Sequence, residues 1–142
     1  MFKKILVPLD GSDLAEGILP LVAHLAGNLN SSVVLLSVVD PVVNQTSVGY
    51  WNERRAELEA VSARLAKPDL IPESRVVGET PHASIIEAAE NEGCDLIAMS
   101  THGRGGLGRG VLGSVADEVM RHSHVPTLLL APGEAKAYGT EG

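Results

Sequence analysis

Five short apolar runs alternate with helical patterns along this chain, and this alternation limits the fold more than any other feature. The runs lie at residues 5–9, 32–39, 74–78, 95–100 and 125–131. Most of them are apolar at consecutive positions, which is typical of strands buried on both faces. The segments between them show the three-to-four-residue apolar spacing of amphipathic helices. Strands that alternate with helices predict a parallel sheet with right-handed crossovers.

The predicted fold class is α/β, a doubly wound five-stranded parallel sheet in an α/β/α sandwich of the Rossmann-like kind. Apolar residues make up 44% of the 142 residues and aromatic residues only 3%, so the core is expected to be aliphatic. We expect one domain over residues 1–132 and a flexible C-terminal tail over residues 133–142. The third strand is expected near an edge of the sheet.

Capping residues and a proline predict where some of the helices begin. Asp13 resembles an N-cap, with Glu16 three residues later as in a capping box. The helix that follows contains Pro20, which predicts a kink or a late start near that residue. Ser114 is expected to cap the last helix, over residues 114–122.

The helix predicted for residues 50–66 carries many charges. Its apolar stripe is Leu58, Val61 and Leu65, and Arg54 is among the charged residues expected to face water. Trp51, the only tryptophan, is expected to pack against the core or to cover it rather than to bind a ligand.

A glycine-rich segment follows the fourth predicted strand and precedes the last helix. Six glycines, two arginines and no acidic residue lie from Gly103 to Gly113. Glycine lets backbone N–H groups approach an anion closely, and the positive end of the next helix faces the same point. This order of strand, loop and helix therefore predicts a phosphate site. A plain surface loop is the alternative.

Composition and charge exclude several other functions. The net charge of −7 disfavours nucleic acid and anionic membranes as partners. No apolar stretch reaches ~18 residues, so no membrane span is expected, and the absence of a recognisable targeting segment predicts a cytoplasmic protein. The single cysteine, Cys94, is expected to be a half-buried structural thiol. No metal site is predicted, because His122 and His124 do not share a face.

In a doubly wound sheet, ligands bind at the carboxyl ends of the strands where the winding reverses. The loops after the first, second and fourth strands are therefore the candidates. They carry Asp10, the segment from Val38 to Asp40, and the glycine-rich loop.

These segments resemble the universal stress protein family, and the resemblance covers almost the whole chain. The family's nucleotide loop has a glycine, two residues, a second glycine, nine residues, then glycine and serine or threonine. Here it reads Ser100, two residues, Gly103, nine residues, Gly113 and Ser114. The first strand with Asp10, and the end of the second strand at Val38, also match. The resemblance implies the adenine nucleotide alpha hydrolase-like fold and ATP binding.

The resemblance also assigns roles to residues. Asp10 would contact the ribose, Pro8 and Leu9 would line the wall beside it, and Val38 would meet the adenine. Met99 would flank the base or sugar. Phosphate contacts are implied for the loop and the helix start, at Ser100, His102, Gly103, Arg104, Gly113, Ser114 and Val115. Ser100 departs from the family glycine. A serine with strand dihedral angles fits here without strain. If the nucleotide must approach the backbone closely at this position, the serine side chain would lower the affinity for the nucleotide.

The implied ligand is ATP, or AMP or ADP, with Mg²⁺ held through the phosphates. The implied partner is a second copy, paired through the last strand, residues 125–131. No catalytic residue is predicted, because the loop lacks the lysine of a P-loop and an acid to position water. A nucleotide-responsive regulatory module is the leading hypothesis. A slow ATPase or self-phosphorylating enzyme, a nucleotide-free dimeric interaction protein and, more weakly, a receiver domain are the alternatives.

Overall fold

The computed structural model describes residues 1–39, 48–68, 70–78, 80–101 and 112–131, apart from the side chains of Asp13 and Leu14. The predicted tail, residues 133–142, lies outside the described residues. The strands and helices follow in the order β1 Lys4–Leu9, α1 Asp13–Glu16, α2 Leu19–Leu29, β2 Ser32–Val38, α3 Val48–Leu65, β3 Glu73–Val77, α4 Pro81–Asn91, β4 Leu96–Ser100, α5 Ser114–His122 and β5 Thr127–Leu130.

The strands form one five-stranded parallel sheet in the order β3-β2-β1-β4-β5. The fold class predicted from the alternation of strands and helices is confirmed, and β3 lies at an edge as expected. The winding reverses between β1 and β4, because β1, β2 and β3 are added in one direction and β4 and β5 in the other. The registers include Leu9 beside Ser37 and Ser100 beside Leu130.

Helices cover both faces of the sheet and enclose two aliphatic cores. Ile5, Val7 and Leu9 point toward α1, α2 and α3, where they pack with residues such as Ile18 and Leu58. The alternate residues of the same strands point toward α4 and α5, where Leu6, Ile97 and Met99 pack with Ile85 and Val119. The two-residue period of the strands thus sends neighbouring side chains into different cores.

The first crossover contains two helices rather than one. The helix stops at Glu16 and restarts at Leu19, with Pro20 in the first turn of α2, so the late start predicted from Pro20 is confirmed. The predicted cap at Asp13 is wrong. Ser12 is the cap, because its Oγ accepts the N–H of Ala15 at 3.1 Å and its carbonyl accepts the N–H of Glu16 at 3.1 Å.

Helix α3 differs from the prediction at Arg54, which was expected to face water. This side chain is buried at 5% exposure and donates to Ser37 Oγ from Nε at 3.1 Å and from Nη2 at 2.7 Å. Its Nη1 donates to Glu57. Trp51 packs as predicted: its ring lies directly over Gly78, where an added Cβ would come within 2.6 Å of Trp51 Cζ2.

Candidate functional site

The ladder pairing of β1 with β4 stops before the carboxyl ends of the two strands, at the point where the sheet reverses its winding. β1 pairs with β2 along its whole length, from Lys4 to Leu9. Its pairing with β4 is restricted in the described chain to Ile5 beside Leu96 and Leu6 beside Ile97. Pro8 follows shortly and has no N–H to donate to a neighbouring strand. This is the position of the crevice in which doubly wound folds bind ligands.

The turn after β1 holds Asp10 in place. Gly11 has a φ of 87°, a left-handed conformation that glycine adopts without a steric penalty. This turn brings Ser12 back toward the carboxylate, and Asp10 Oδ1 accepts from Ser12 N at 2.9 Å and from Ser12 Oγ at 2.5 Å. The side chain at the predicted ribose position is therefore fixed by its own loop. Sequence reasoning missed Ser12, although an aspartate two residues before a serine is a recognised turn signal.

The two ends of the glycine-rich segment meet at the carboxyl end of β4. Thr101 donates its N–H to the Leu130 carbonyl at 2.9 Å, and its own carbonyl accepts the N–H of Gly113 at 2.8 Å. The segment between them thus leaves the sheet and returns to it at one place. His102, Gly103 and Arg104, which the sequence assigned to the phosphates, lie outside the described residues.

Helix α5 begins directly at this returning end. Its N-cap is Gly113, with an extended φ of −61° and ψ of 147°, and Ser114 is its first helical residue. The expectation that Ser114 caps the helix is therefore wrong. Because the N–H of Gly113 is bonded to Thr101, it is also not the amide that the implied phosphate contact needs. The first helical bond runs from the N–H of Asp117 to the carbonyl of Gly113, so the amides of residues 114–116 point out of the helix end.

Ser100 is the last residue of β4 and is 8% exposed. Its Oγ donates to the carbonyl oxygen of Ala15 in α1 at 3.3 Å. The side chain thus extends to the α1 face of the sheet, one residue before the glycine-rich segment.

The apolar residues assigned to the site differ in their accessibility. Pro8, Leu9 and Met99 are buried, the last two at 4% and 6% exposure. Val38 and Val115 are half-buried and pack at the margin of the core beneath α4 and α5. The strand ends bring Asp10, Val38 and Ser100 to the same edge of the sheet as the start of α5, whereas Pro8, Leu9 and Met99 lie beneath that edge.

A buried cation lies one residue below Val38. Arg54 binds Ser37, which is fully buried and level with Leu9. Sequence reasoning missed this residue, although its spacing from Leu58, Val61 and Leu65 is that of the buried stripe itself. The charge of Arg54 led to the prediction that it faces water. Its position on the helix would have predicted its burial correctly.

Cys94 precedes β4, at the amino end of that strand and away from this edge. Burial raises the pKa of the Cys94 thiol to about 11, so it is a protonated structural thiol at neutral pH. Within the described ranges no group of three histidine, cysteine or acidic side chains is placed to hold a metal ion. None of the helices that the structure describes combines the length and apolar character needed to cross a membrane.

Comparison with known proteins gives a consistent result. The sequence profile of the universal stress protein family matches residues 1–131. Universal stress protein MJ0531 of Methanocaldococcus jannaschii is 31% identical over 140 residues, covering 92% of this chain and 82% of that protein.

Solved structures share the fold. The structure of protein MJ0577, also from Methanocaldococcus jannaschii, superimposes with a TM-score of 0.86 at 30% identity, covering 94% of this chain and 99% of that one. A universal stress protein from Archaeoglobus fulgidus, solved in complex with dAMP, gives a TM-score of 0.71 at 20% identity, covering 90% of this chain and 97% of that one.

Proposed function

Because this chain belongs to the universal stress protein family, we propose that it binds ATP at the carboxyl edge of its sheet and acts as a nucleotide-responsive regulatory module. The observation that carries this proposal is the juxtaposition at the winding reversal. A carboxylate fixed by its own turn follows β1, and a helix N-terminus starts where the glycine-rich segment returns after β4. Each suits one part of a nucleotide.

The phosphates are proposed to bind over the start of α5. The amides of Ser114 and Val115 and the Ser114 hydroxyl would donate to them, together with His102, Gly103 and Arg104 of the loop. Hydrogen bonds to charged groups contribute roughly 1.5–3 kcal/mol each, and the helix dipole roughly 0.3–1 kcal/mol. Micromolar affinity needs about 8 kcal/mol net of ordering costs. Contacts elsewhere on the nucleotide must therefore contribute.

The ribose and the base supply those contacts in the proposed complex. Asp10 would accept from the ribose hydroxyls, and its contacts with Ser12 reduce the entropy lost on binding. Val38 is half-buried and apolar, and it would contact the adenine. The dAMP complex of the Archaeoglobus fulgidus protein supports an adenine nucleotide as the ligand class. AMP and ADP would use the same site, and Mg²⁺ would be held through the phosphates.

A regulatory role is proposed rather than efficient catalysis. The loop sequence has no P-loop lysine and no acidic residue to position an attacking water. Incubation with γ-labelled ATP distinguishes a regulatory module from an enzyme. Phosphate release, or phosphate transfer to the protein itself, many times faster than in buffer would contradict this proposal and show that the protein is an enzyme.

Calorimetric titration with ATP and Mg²⁺ tests the site, with Gly113→Val as the variant. The φ and ψ of Gly113 suit any L-residue, so valine introduces no backbone strain, and its branched side chain would block the phosphate path. We expect the binding heat to vanish. Gly27→Val is the matched control, because an added Cβ at Gly27 meets nothing within 4 Å. Undiminished binding by Gly113→Val contradicts the site assignment.

We also propose a cytoplasmic homodimer that pairs through β5. β5 is an edge strand, and its Thr127, Leu128 and Leu129 are only half-buried. An exposed apolar edge is a ready surface for pairing with a second copy.

A further inference from the structure

Ser100 joins two parts of the crevice that the sheet itself does not join. The pairing of β1 with β4 is restricted in the described chain to residues below Pro8. At the carboxyl ends, the Ser100 hydroxyl reaches across to the Ala15 carbonyl at 3.3 Å. Both residues are buried, at 8% and 6% exposure, so this hydrogen bond is shielded from water.

The Ala15 carbonyl is well placed to accept this bond. Helix α1 ends at Glu16, and the Ala15 oxygen accepts the N–H of Ile18 at 3.5 Å. A carbonyl oxygen has two lone pairs, so the Ser100 hydroxyl adds a second, shorter bond to this buried group at the helix break. A glycine or an alanine at position 100 would not supply one.

From Ala15 the contacts continue to the ribose side of the crevice. The N–H of Ala15 donates to Ser12 Oγ at 3.1 Å, and Ser12 Oγ donates to Asp10 Oδ1 at 2.5 Å. A continuous series of hydrogen bonds thus runs from the end of β4 through the short helix α1 to the Asp10 carboxylate. This series is local to the site, and it starts at the residue that replaces a glycine of the family's loop.

We propose that Ser100 is a positioning residue that sets the distance between Asp10 and the start of α5, so that one nucleotide reaches both. This inference rests on the proposed function. Its physical basis is preorganisation: a ligand that spans two loops binds tighter when their separation is fixed beforehand. A ligand that contacts one loop gains nothing from that fixed separation.

Three ligands test the inference by calorimetry or NMR titration with Mg²⁺ present. ATP spans both parts of the proposed site, adenosine reaches only the Asp10 side, and inorganic tripolyphosphate reaches only the start of α5. For Ser100→Ala we expect the Kd for ATP to rise about threefold to tenfold, the loss equivalent to one hydrogen bond. The Kd values for adenosine and tripolyphosphate should change less than about twofold. Ser100→Thr, which keeps the hydroxyl, should restore the ATP affinity.

Ser31→Ala is the matched control. Ser31 is also a buried serine whose hydroxyl donates to a backbone carbonyl, that of Phe2, but it lies at the amino end of β2. It should lower the melting temperature without changing the Kd for ATP. If Ser100→Ala does not fold, Ser100→Cys, which keeps the side-chain volume but has only a weak S–H donor, should give the same pattern.

The outcomes separate the two proposals. Wild-type protein that does not bind ATP overturns the proposed function, and this inference with it. Wild-type binding with an unchanged Kd in Ser100→Ala overturns only the positioning role. So does an equal loss for all three ligands, or the same loss in Ser31→Ala, since each would indicate general destabilisation.

Discussion

At the scale of single residues, helix α3 has a charged side chain at a buried position where its amphipathic pattern predicts an apolar one. Arg54 occupies the stripe position of α3 and satisfies its guanidinium with Ser37 and Glu57. The long stem of arginine packs among apolar neighbours while its donors reach polar partners. Glu57 is 59% exposed, so water shares in balancing the buried cation.

The Arg54 contacts predict a large difference between two adjacent arginines. Arg54→Ala removes the buried stem and leaves the fully buried Ser37 hydroxyl without its donors, so we expect the free energy of unfolding to fall by about 2–3 kcal/mol. Arg55→Ala, at an exposed position of the same helix, should change it by no more than about 0.5 kcal/mol. Urea denaturation measures both. Equal effects would show that the burial of Arg54 contributes little.

Asp95 predicts a stability that depends on pH. Its carboxylate accepts the N–H groups of Lys4 at 3.0 Å and Lys3 at 2.9 Å. These bonds, that of Lys4 first, hold the pKa of Asp95 below its ordinary value of 3.8. A lowered pKa stabilises the folded state above the ordinary value, and this contribution is lost as the pH falls through the folded value.

We therefore expect Asp95→Asn to lower the free energy of unfolding by about 1 kcal/mol at neutral pH. Below the folded pKa the two proteins should converge, since the wild-type carboxyl is then neutral as well. Urea titrations at a series of pH values, from about pH 7 down to the lowest at which both proteins fold, measure the difference. A difference that stays constant between these conditions would contradict the assignment.

At the scale of elements, α3 and the end of β3 meet through one aromatic ring. Trp51 lies over Gly78, and a Cβ built there would come within 2.6 Å of Cζ2 and 2.8 Å of Cη2 of the ring. Real Cβ contacts do not occur at such distances, so the ring or the strand would have to move. The glycine is thus required by close approach and not by its backbone conformation.

Two glycine-to-alanine variants make this contact measurable. Gly78→Ala should destabilise the protein by about 1–3 kcal/mol, because it overpacks against Trp51. It should also shift the fluorescence of this single tryptophan. Gly27→Ala, with open space around it in α2, should stabilise the protein by roughly 0.5–1 kcal/mol. An unchanged emission spectrum in Gly78→Ala would mean that the ring does not lie over Gly78 in solution.

Sequence patterns predicted the elements better than the contacts between them. Apolar runs were enough for the strands and their parallel arrangement, and Pro20 was enough for the late start of α2, since these depend on local spacing. The separate helix α1 was not predicted. The cap at Ser12 and the burial of Arg54 were missed although local signals for both are present, since the Ser12 contacts lie within three residues and Arg54 occupies a stripe position. Only the partner of the Arg54 guanidinium, Ser37, is brought close by the fold, from 17 positions away. The hydrogen bond from Ser100 to Ala15 spans 85 positions of the chain, and no local pattern encodes it.

At the scale of the whole molecule, β5 predicts how two copies would pair. Pro126 and Leu130 direct their carbonyls toward β4. Because bonding directions alternate along a strand, Thr127 directs its N–H to the outer edge. Thr127→Pro should remove that donor at the start of the strand, where proline is tolerated. We expect the dimer Kd to rise roughly threefold to tenfold.

Analytical ultracentrifugation measures this change. Thr127→Val keeps the N–H and a similar side-chain volume, so it should dimerise like the wild type. Equal weakening by both variants would assign the effect to the lost threonine hydroxyl rather than to pairing of the edge. A monomeric wild type at high concentration would contradict the proposed dimer.

The hydrogen bond between Thr101 and Gly113 has a consequence for how this architecture changes over time. Since both ends of the intervening segment are anchored to one another at β4, its length is uncoupled from the sheet. Each doubling of a loop's length costs only about 0.6 kcal/mol in closure entropy. Insertions, deletions and whole replacements between Thr101 and Gly113 should therefore leave the sheet folded, so this segment can change during evolution or by design without changes in the rest of the protein.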